Sequence, residues 1–272
     1  MDLVFFVASL FFLFISTLHY LLYLVYQNPV VPRVARVSLY LALTAQTCFF
    51  AARFAKGGIP FGTNMYESLV FFSWCIVIAY LLITVKYQVP AVGAFVIPIT
   101  LILMAAAAFL PDKGVGAIPP ALKSFWLPIH VTFSFMGDAL FAMAFGSGIM
   151  YLIQERQLKS KKPGALYYRL PNLEILDMIN YRALTIGFPL LTLGIITGSI
   201  WAQYAWGTYW SWDPKETWSL ITWMIFAALL HARLTAGWRG RRAAILSIIG
   251  FLAVLFTFLG VNLLLTGLHS YN

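Results

Sequence analysis

The chain has 272 residues, of which 61% are hydrophobic and 10% charged, and it carries a net charge of +9. A soluble domain has about 45–50% apolar and about 25% charged residues. So few charges cannot cover a globule of this length, which excludes soluble, disordered and fibrous classes and leaves an all-α polytopic membrane protein. The basic excess would suit nucleic acid in a soluble protein, but in a membrane protein Lys and Arg collect in cytoplasmic loops.

A helix needs about 20 apolar residues to cross about 30 Å of hydrocarbon. Eight segments qualify in chain order: 3–26, 34–55, 66–87, 91–110, 127–153, 184–204, 216–235 and 243–266. The first lacks the basic leader of a secretory signal and reads as a retained span. The second and third hold the two cysteines, Cys48 and Cys75, in apolar runs with no CxxC spacing. They read as small buried hydrophobes, not as a disulfide enzyme or zinc site. The fourth contains Pro98 and is expected to be the least regular. The fifth is long enough to tilt or protrude; its one acid, Asp138, is expected to make a helix–helix hydrogen bond. Gly and Pro punctuate the loops, as in Lys56-Gly57-Gly58-Ile59-Pro60 and Pro119-Pro120. No internal repeat is visible, so residues 1–272 are expected to form one integral membrane domain.

Orientation follows from the basic residues. Arg33, Arg36, Lys86, Arg156, Lys159, Lys161, Lys162, Arg169, Arg182, Arg233, Arg239, Arg241 and Arg242 make thirteen on one side, against five (Arg53, Lys56, Lys113, Lys123, Lys215) on the other. The bias places the thirteen in the cytoplasm and both termini outside, and leaves no need for a nucleic-acid partner.

The four histidines fall into two layers. His130 opens span five and His269 follows span eight, both on the outer side. His19 lies roughly 24 Å along the inward-running first span, and His231 roughly 20 Å along span seven, at about 1.5 Å per residue. Ionisable residues inside a membrane default to a functional reading. Paired imidazoles at one level suit bis-histidine ligation of an iron porphyrin, whereas zinc would want a third ligand of Cys or carboxylate type.

Six of the nine tryptophans lie in residues 201–223. An aromatic belt at the headgroups explains one or two per span end. It does not explain Trp206, Trp210 and Trp212 gathered around Gly207, Asp213 and Pro214 in the external loop, about 205–216. A flat macrocycle at the membrane surface needs such a platform, with large rings on its faces and Gly207 allowing close backbone approach. Asp213 and Glu216 are expected to cap the following helix.

The run Trp206-Gly207-Thr208-Tyr209-Trp210-Ser211-Trp212-Asp213 resembles the W-G-x-x-W-x-W-D signature (the WWD motif) of haem-handling cytochrome c assembly proteins. Gly267-Leu268-His269-Ser270-Tyr271 and Asn64-Met65-Tyr66-Glu67-Ser68 are similar to segments of the CcsA/ResC branch of system II. The resemblance implies haem delivery to the outer face of a bacterial inner or thylakoid-like membrane. There haem b would be joined to the Cys-x-x-Cys-His segment of apocytochrome c, with this chain as subunit of a cytochrome c synthase. Implied partners are a ResB-like membrane protein, apocytochrome c, a thioredoxin-like thiol reductant and the lipid bilayer. His130 and His269 match the two outer axial ligands and His231 an inner one. The second inner ligand is His19 or a partner's histidine. Trp206, Gly207, Trp210, Trp212 and Asp213 would hold the macrocycle. No residue is expected to act as a nucleophile, since the thiols belong to the substrate. Two alternatives stay open: a CcmC-like protein that passes haem to a chaperone without forming a thioether, for which six spans are expected, and a non-catalytic membrane regulator of haem synthesis.

Overall fold

A computed structural model describes residues 2–26, 28–57, 62–110, 122–160, 164–265 and 267. Each apolar run closes its own backbone hydrogen bonds as a helix, as a single segment in hydrocarbon must. The helices are α1 (Asp2–Tyr23), α2 (Val30–Ala55), α3 (Met65–Tyr87), α4 (Gly93–Ala108), α5 (Trp126–Lys159), α6 (Leu173–Trp206), α7 (Pro214–Thr235) and α8 (Arg241–Leu255). Beyond α8 the chain passes a π-helical turn, Phe256–Gly260, into a last helical turn, Val261–Leu264. Eight helical segments are long and apolar enough to span a membrane, and no strand occurs among the described residues. The protein is an all-α polytopic membrane protein.

Three boundaries differ from the sequence reading. The fourth helix stays continuous through Pro98, and the irregularity falls before it, in a 3-10 turn at Pro90–Val92. Helices α5 and α6 reach 34 residues each, about 51 Å at 1.5 Å per residue, and outrun the hydrocarbon. Hydropathy registers only the portion in lipid. The opening turns of α6 carry Glu174, Asp177, Asn180 and Arg182 and read as loop, yet they bury Leu176, Ile179 and Ala183 on one face. Asn172 caps their start by accepting from the Ile175 amide at 2.8 Å.

The chain divides into two compact units, Met1–Ile118 with Ile153–Ile175, and Pro119–Leu152 with Leu176–Asn272. In the first, α1 packs on α2 and α4, and α3 on α4. Polar side chains lock these contacts: Ser16 donates to the Ala35 carbonyl at 2.9 Å, and Gln46 Nε2 to Ser73 Oγ at 2.9 Å. The chief departure from expectation here is Arg53. It was counted as a loop charge, but its side chain is 0% exposed and its Nε lies 3.0 Å from Glu67 Oε1, with Asp2 Oδ2 3.6 Å from Nη1. The guanidinium sits over the rings of Phe49 and Tyr66, 5.2 and 5.4 Å from their centroids. Asn64 caps α3 by accepting from the Glu67 amide at 2.9 Å, so the same turn that starts α3 presents the counter-ion.

The second unit is built on close helix contacts. A Cβ at Gly137 would lie 2.9 Å from the Leu191 nitrogen and 3.1 Å from the Gly187 carbonyl, so α5 and α6 nearly touch backbones there. Asn180 of α6 donates to the Ala144 carbonyl of α5 and to Ser247 Oγ of α8, each at 2.9 Å. Phe141 stacks on Phe226 of α7 at 3.6 Å between centroids. At the Arg-rich end Arg233 Nη1 donates to Asp177 Oδ1 at 3.0 Å, and its guanidinium lies 4.6 Å from the Tyr181 ring. The same carboxylate accepts from the Gly240 amide at 2.9 Å, tying α6, α7 and the start of α8 together.

Removing one member of a buried ion pair costs about 3–5 kcal/mol, because the other charge is stranded. Arg53→Leu is therefore expected to lower the thermal stability of the detergent-solubilised protein by that order, and Arg53→Leu with Glu67→Leu to recover most of it. A thermal precipitation series on the single and double variants measures both.

Candidate functional site

The tryptophan loop begins where α6 stops. Gly207 follows Trp206 with φ +76°, a left-handed conformation that ends the helix. Nothing lies within 4 Å of a Cβ placed there. The positive φ calls for a glycine, and the open space above it leaves room for a ligand to approach the backbone. Ser199 Oγ of α6 donates to the Tyr209 carbonyl at 2.7 Å and folds the loop back on its own helix.

The far end of the loop is fixed by the start of α7. Asp213 accepts from the Lys215 amide at 2.9 Å and Glu216 reaches back to the Asp213 amide at 3.2 Å, the reciprocal capping box expected from their spacing. The same Glu216 oxygen accepts from the Ser211 amide at 2.7 Å. Asp213 and Glu216 are thus buried and spent on shaping the loop. Trp212, just before Asp213, is held at φ +59° and is 68% exposed. A left-handed conformation costs a residue with a side chain roughly 1–2 kcal/mol. A cap of this kind contributes about 0.5–2 kcal/mol, enough to offset it. Trp210 meets Trp212 edge to face, with centroids 5.9 Å apart.

His130 stands one turn into α5 and is half-buried. Its Nδ1 lies 2.7 Å from the Gly194 carbonyl of α6. The ring stacks on Trp201, 6.0 Å between centroids and 15° between planes, and Trp201 meets Trp206 edge on at 4.9 Å. An unbroken series of ring contacts therefore joins His130 to the first tryptophan of the loop. Gly267 closes the other side: a Cβ there would fall on the Asp213 carboxylate and lie 3.3 Å from Pro214 Cδ. His269, two residues further along the sequence, lies outside the described residues.

The second unit thus gathers His130, Trp206, Gly207, Trp210, Trp212 and Asp213. His231 belongs to the same unit but is 17 residues along α7 from Pro214, about 26 Å by the helix rise. Its side chain is exposed, and the buried cation at that end is Arg233, paired with Asp177. His19 belongs to the first unit, where its Nδ1 lies 2.8 Å from the Ile15 carbonyl, one helical turn back. Asp138 does not make the expected helix–helix hydrogen bond: it is half-buried, and no partner reaches it among the described residues. Sequence reasoning singled out neither Trp201 nor the glycines beneath His130. The signal available was the Gly194-Ile-Ile-Thr-Gly198 spacing, which brings two membrane helices into close contact.

The family description "Cytochrome C assembly protein" matches residues 62–269. The chain is similar to the cytochrome c biogenesis protein CcsA of Prochlorococcus marinus (strain MIT 9215), 41% identical over 88% of this chain and 84% of that one. CcsA of Guillardia theta is 40% identical over 86% of this chain and 84% of its own length. This chain belongs to the cytochrome c assembly family, in its CcsA branch. It works in cytochrome c biogenesis, and haem handling comes with the family. The fold also matches the solved cytochrome c haem lyase CcmF, with a TM-score of 0.68 at 16% identity over 95% of this chain. This CcsA-type chain spans 46% of that structure's length, so the likeness is one of fold.

Loss of the Glu216 carboxylate is expected to release the Ser211 and Asp213 amides together. In Glu216→Ala, hydrogen–deuterium exchange should rise across the loop at 207–216, with α8 unchanged.

Proposed function

We propose that the protein delivers haem to the outer face of the membrane and, with a ResB-like partner, presents it for covalent attachment to the Cys-x-x-Cys-His segment of apocytochrome c. The observation that carries this reading is the ring series His130–Trp201–Trp206. It makes an imidazole and the tryptophan loop one site, as a planar macrocycle bound through its metal requires. The basic bias of the loops puts this end outside the membrane.

The donor chemistry fits haem as cargo. The Gly194 carbonyl can only accept, so Nδ1 of His130 carries the proton and the neutral ring offers its Nε2 lone pair to a metal. His269 supplies the opposing ligand. Trp206, Trp210 and Trp212 lie along the macrocycle, and Gly207 and Asp213 set the loop that presents them. Each substrate cysteine then adds S–H across a vinyl group: a C–S bond forms at one carbon and the thiol hydrogen ends on the other, with no net electron transfer. The cargo brings the reactive carbons, and the protein supplies position. The substrate's own histidine replaces one axial imidazole as haem departs. The addition needs free thiols, which a thioredoxin-like reductant would maintain.

His231 is the inner ligand in this scheme. Its exposure leaves the ring open to a group from outside its unit, so a histidine of the partner suits the second position as well as His19 does. The eight spans and the CcsA relatives weigh against the six-span reading in which haem passes to a chaperone.

Two experiments test the scheme. His130→Gly should abolish cytochrome c maturation, and added imidazole should restore part of it; full maturation without imidazole would overturn the outer-ligand assignment. His231→Ala should leave the outer site without haem while the protein still inserts. If His19→Ala gives the same spectrum, this chain supplies both inner ligands. A defect in His231→Ala alone moves the second ligand to the partner. Absorption spectra of the purified variants report each case.

A further inference from the structure

The contact between α5 and α6 is also close where His130 lies. A Cβ at Gly194 would stand 2.5 Å from Ser134 Oγ and 3.0 Å from the Ser134 Cα. One turn on, a Cβ at Gly198 would stand 2.5 Å from His130 Nδ1 and 2.6 Å from its Cε1. Real Cβ atoms do not approach so closely, so the imidazole occupies the space that a side chain at 198 would fill. Trp201 lies parallel to the ring. The ring is thus held from three directions by one helix: a carbonyl in its plane at Gly194, bare backbone beneath it at Gly198, and an indole stacked on it at Trp201.

Helix packing alone does not account for this arrangement. Gly187 serves packing on the same helix: a Cβ there would stand 3.0 Å from Phe141 Cε1 and 3.1 Å from Leu140 Cβ, with no histidine among its three nearest atoms. At Gly198 all three of those atoms belong to the His130 imidazole. Because a carbonyl accepts from Nδ1, the arrangement selects one tautomer of the ring. The same hydrogen bond raises the basicity of the ring as a ligand, as carbonyl partners of metal-bound histidines do.

We propose that Gly194, Gly198 and Trp201 are positioning residues for the outer haem, fixing the tautomer, plane and donor strength of His130. This rests on the reading of His130 as an axial ligand. They touch neither the reacting vinyl carbons nor the substrate thiols, and act only through the imidazole.

The test uses the full-length protein purified with its haem. Gly198→Ala drives the ring away from the Gly194 carbonyl. The outer haem should then show a more positive midpoint potential and altered low-spin EPR g-values. Misplacement on the ångström scale can cost a reaction about 100-fold, so maturation should fall about tenfold or more. Gly187→Ala should lower protein yield without changing either haem signature. The decisive arm is a His130→Gly background rescued with imidazole, where the clash partner is gone: adding Gly198→Ala should leave the rescue undiminished. Should Gly198→Ala fail to insert, Trp201→Leu gives the same readout, since it removes the stacking plane without adding an atom beneath the ring. The proposal is overturned if Gly198→Ala damages the imidazole-rescued protein as much as the parent. Equal potential shifts in Gly187→Ala and Gly198→Ala, or an unchanged potential in both Gly198→Ala and Trp201→Leu, overturn it too. If His130→Gly matures cytochrome c normally, the outer-ligand reading falls first and this one with it, and that single variant tells the two failures apart.

Discussion

No water reaches the hydrocarbon of a bilayer, so each backbone N–H and C=O there has only the chain for a partner. Nearly everything else in this protein follows from that constraint. It forces the apolar segments into helices. It also confines non-helical backbone to the ends of the spans, where side chains serve as partners. The tryptophan loop shows how. Its amides at Ser211 and Asp213 are taken by one Glu216 oxygen, and its Tyr209 carbonyl by Ser199. The loop is defined because polar groups from the two adjoining helices replace the hydrogen bonds that helical geometry would have supplied.

The same scarcity of partners governs the charges. Arg53 and Arg233 are buried and each faces a carboxylate. Stranding one of those charges costs about 3–5 kcal/mol, whereas an exposed surface pair contributes about 0–1 kcal/mol. These two pairs therefore decide how helices meet, while Lys159–Glu155, with the lysine largely exposed, is incidental. In the first unit the buried pair joins the end of α2 to the start of α3; in the second it joins α7 to α6. Each sits at a span end, where headgroups and water lower the cost of charging a side chain before the helices close over it.

Features written into short sequence distances were legible. The eight spans stand out because hydropathy measures the same transfer free energy that places helices in lipid. The cap formed by Asp213 and Glu216 is readable from a three-residue spacing. What escaped was set by contacts far apart in sequence, or by helix that outlasts its hydrophobic stretch. His130 and the Gly194 carbonyl are 64 residues apart. Arg53 is ordinary as a loop-adjacent arginine until the fold brings Glu67 and two aromatic rings to it. The start of α6 carries charges because it projects beyond the lipid, so a hydropathy threshold discards it. Gly207 stood out as a glycine in the loop, but its left-handed dihedral, which ends α6, is visible only in the structure.

A protein that passes its cargo on faces a demand that a permanent cofactor site does not. The macrocycle must be held in one orientation and then released, so tight binding from many contacts would slow turnover. In the proposed function that demand is met by placing rigidity in the protein instead of in the bond to the cargo. His130 is oriented by a carbonyl, a glycine and an indole that belong to one helix and remain when haem leaves. Trp212 is kept in a left-handed conformation beside the capping box of Asp213 and Glu216. Neither element has to be ordered anew when the next haem arrives, so the entropy of orientation is met once, during folding, and not at each turnover. An axial imidazole fixed in this way gives the substrate's histidine a single bond to displace, while the surrounding platform stays in place to receive the next ring.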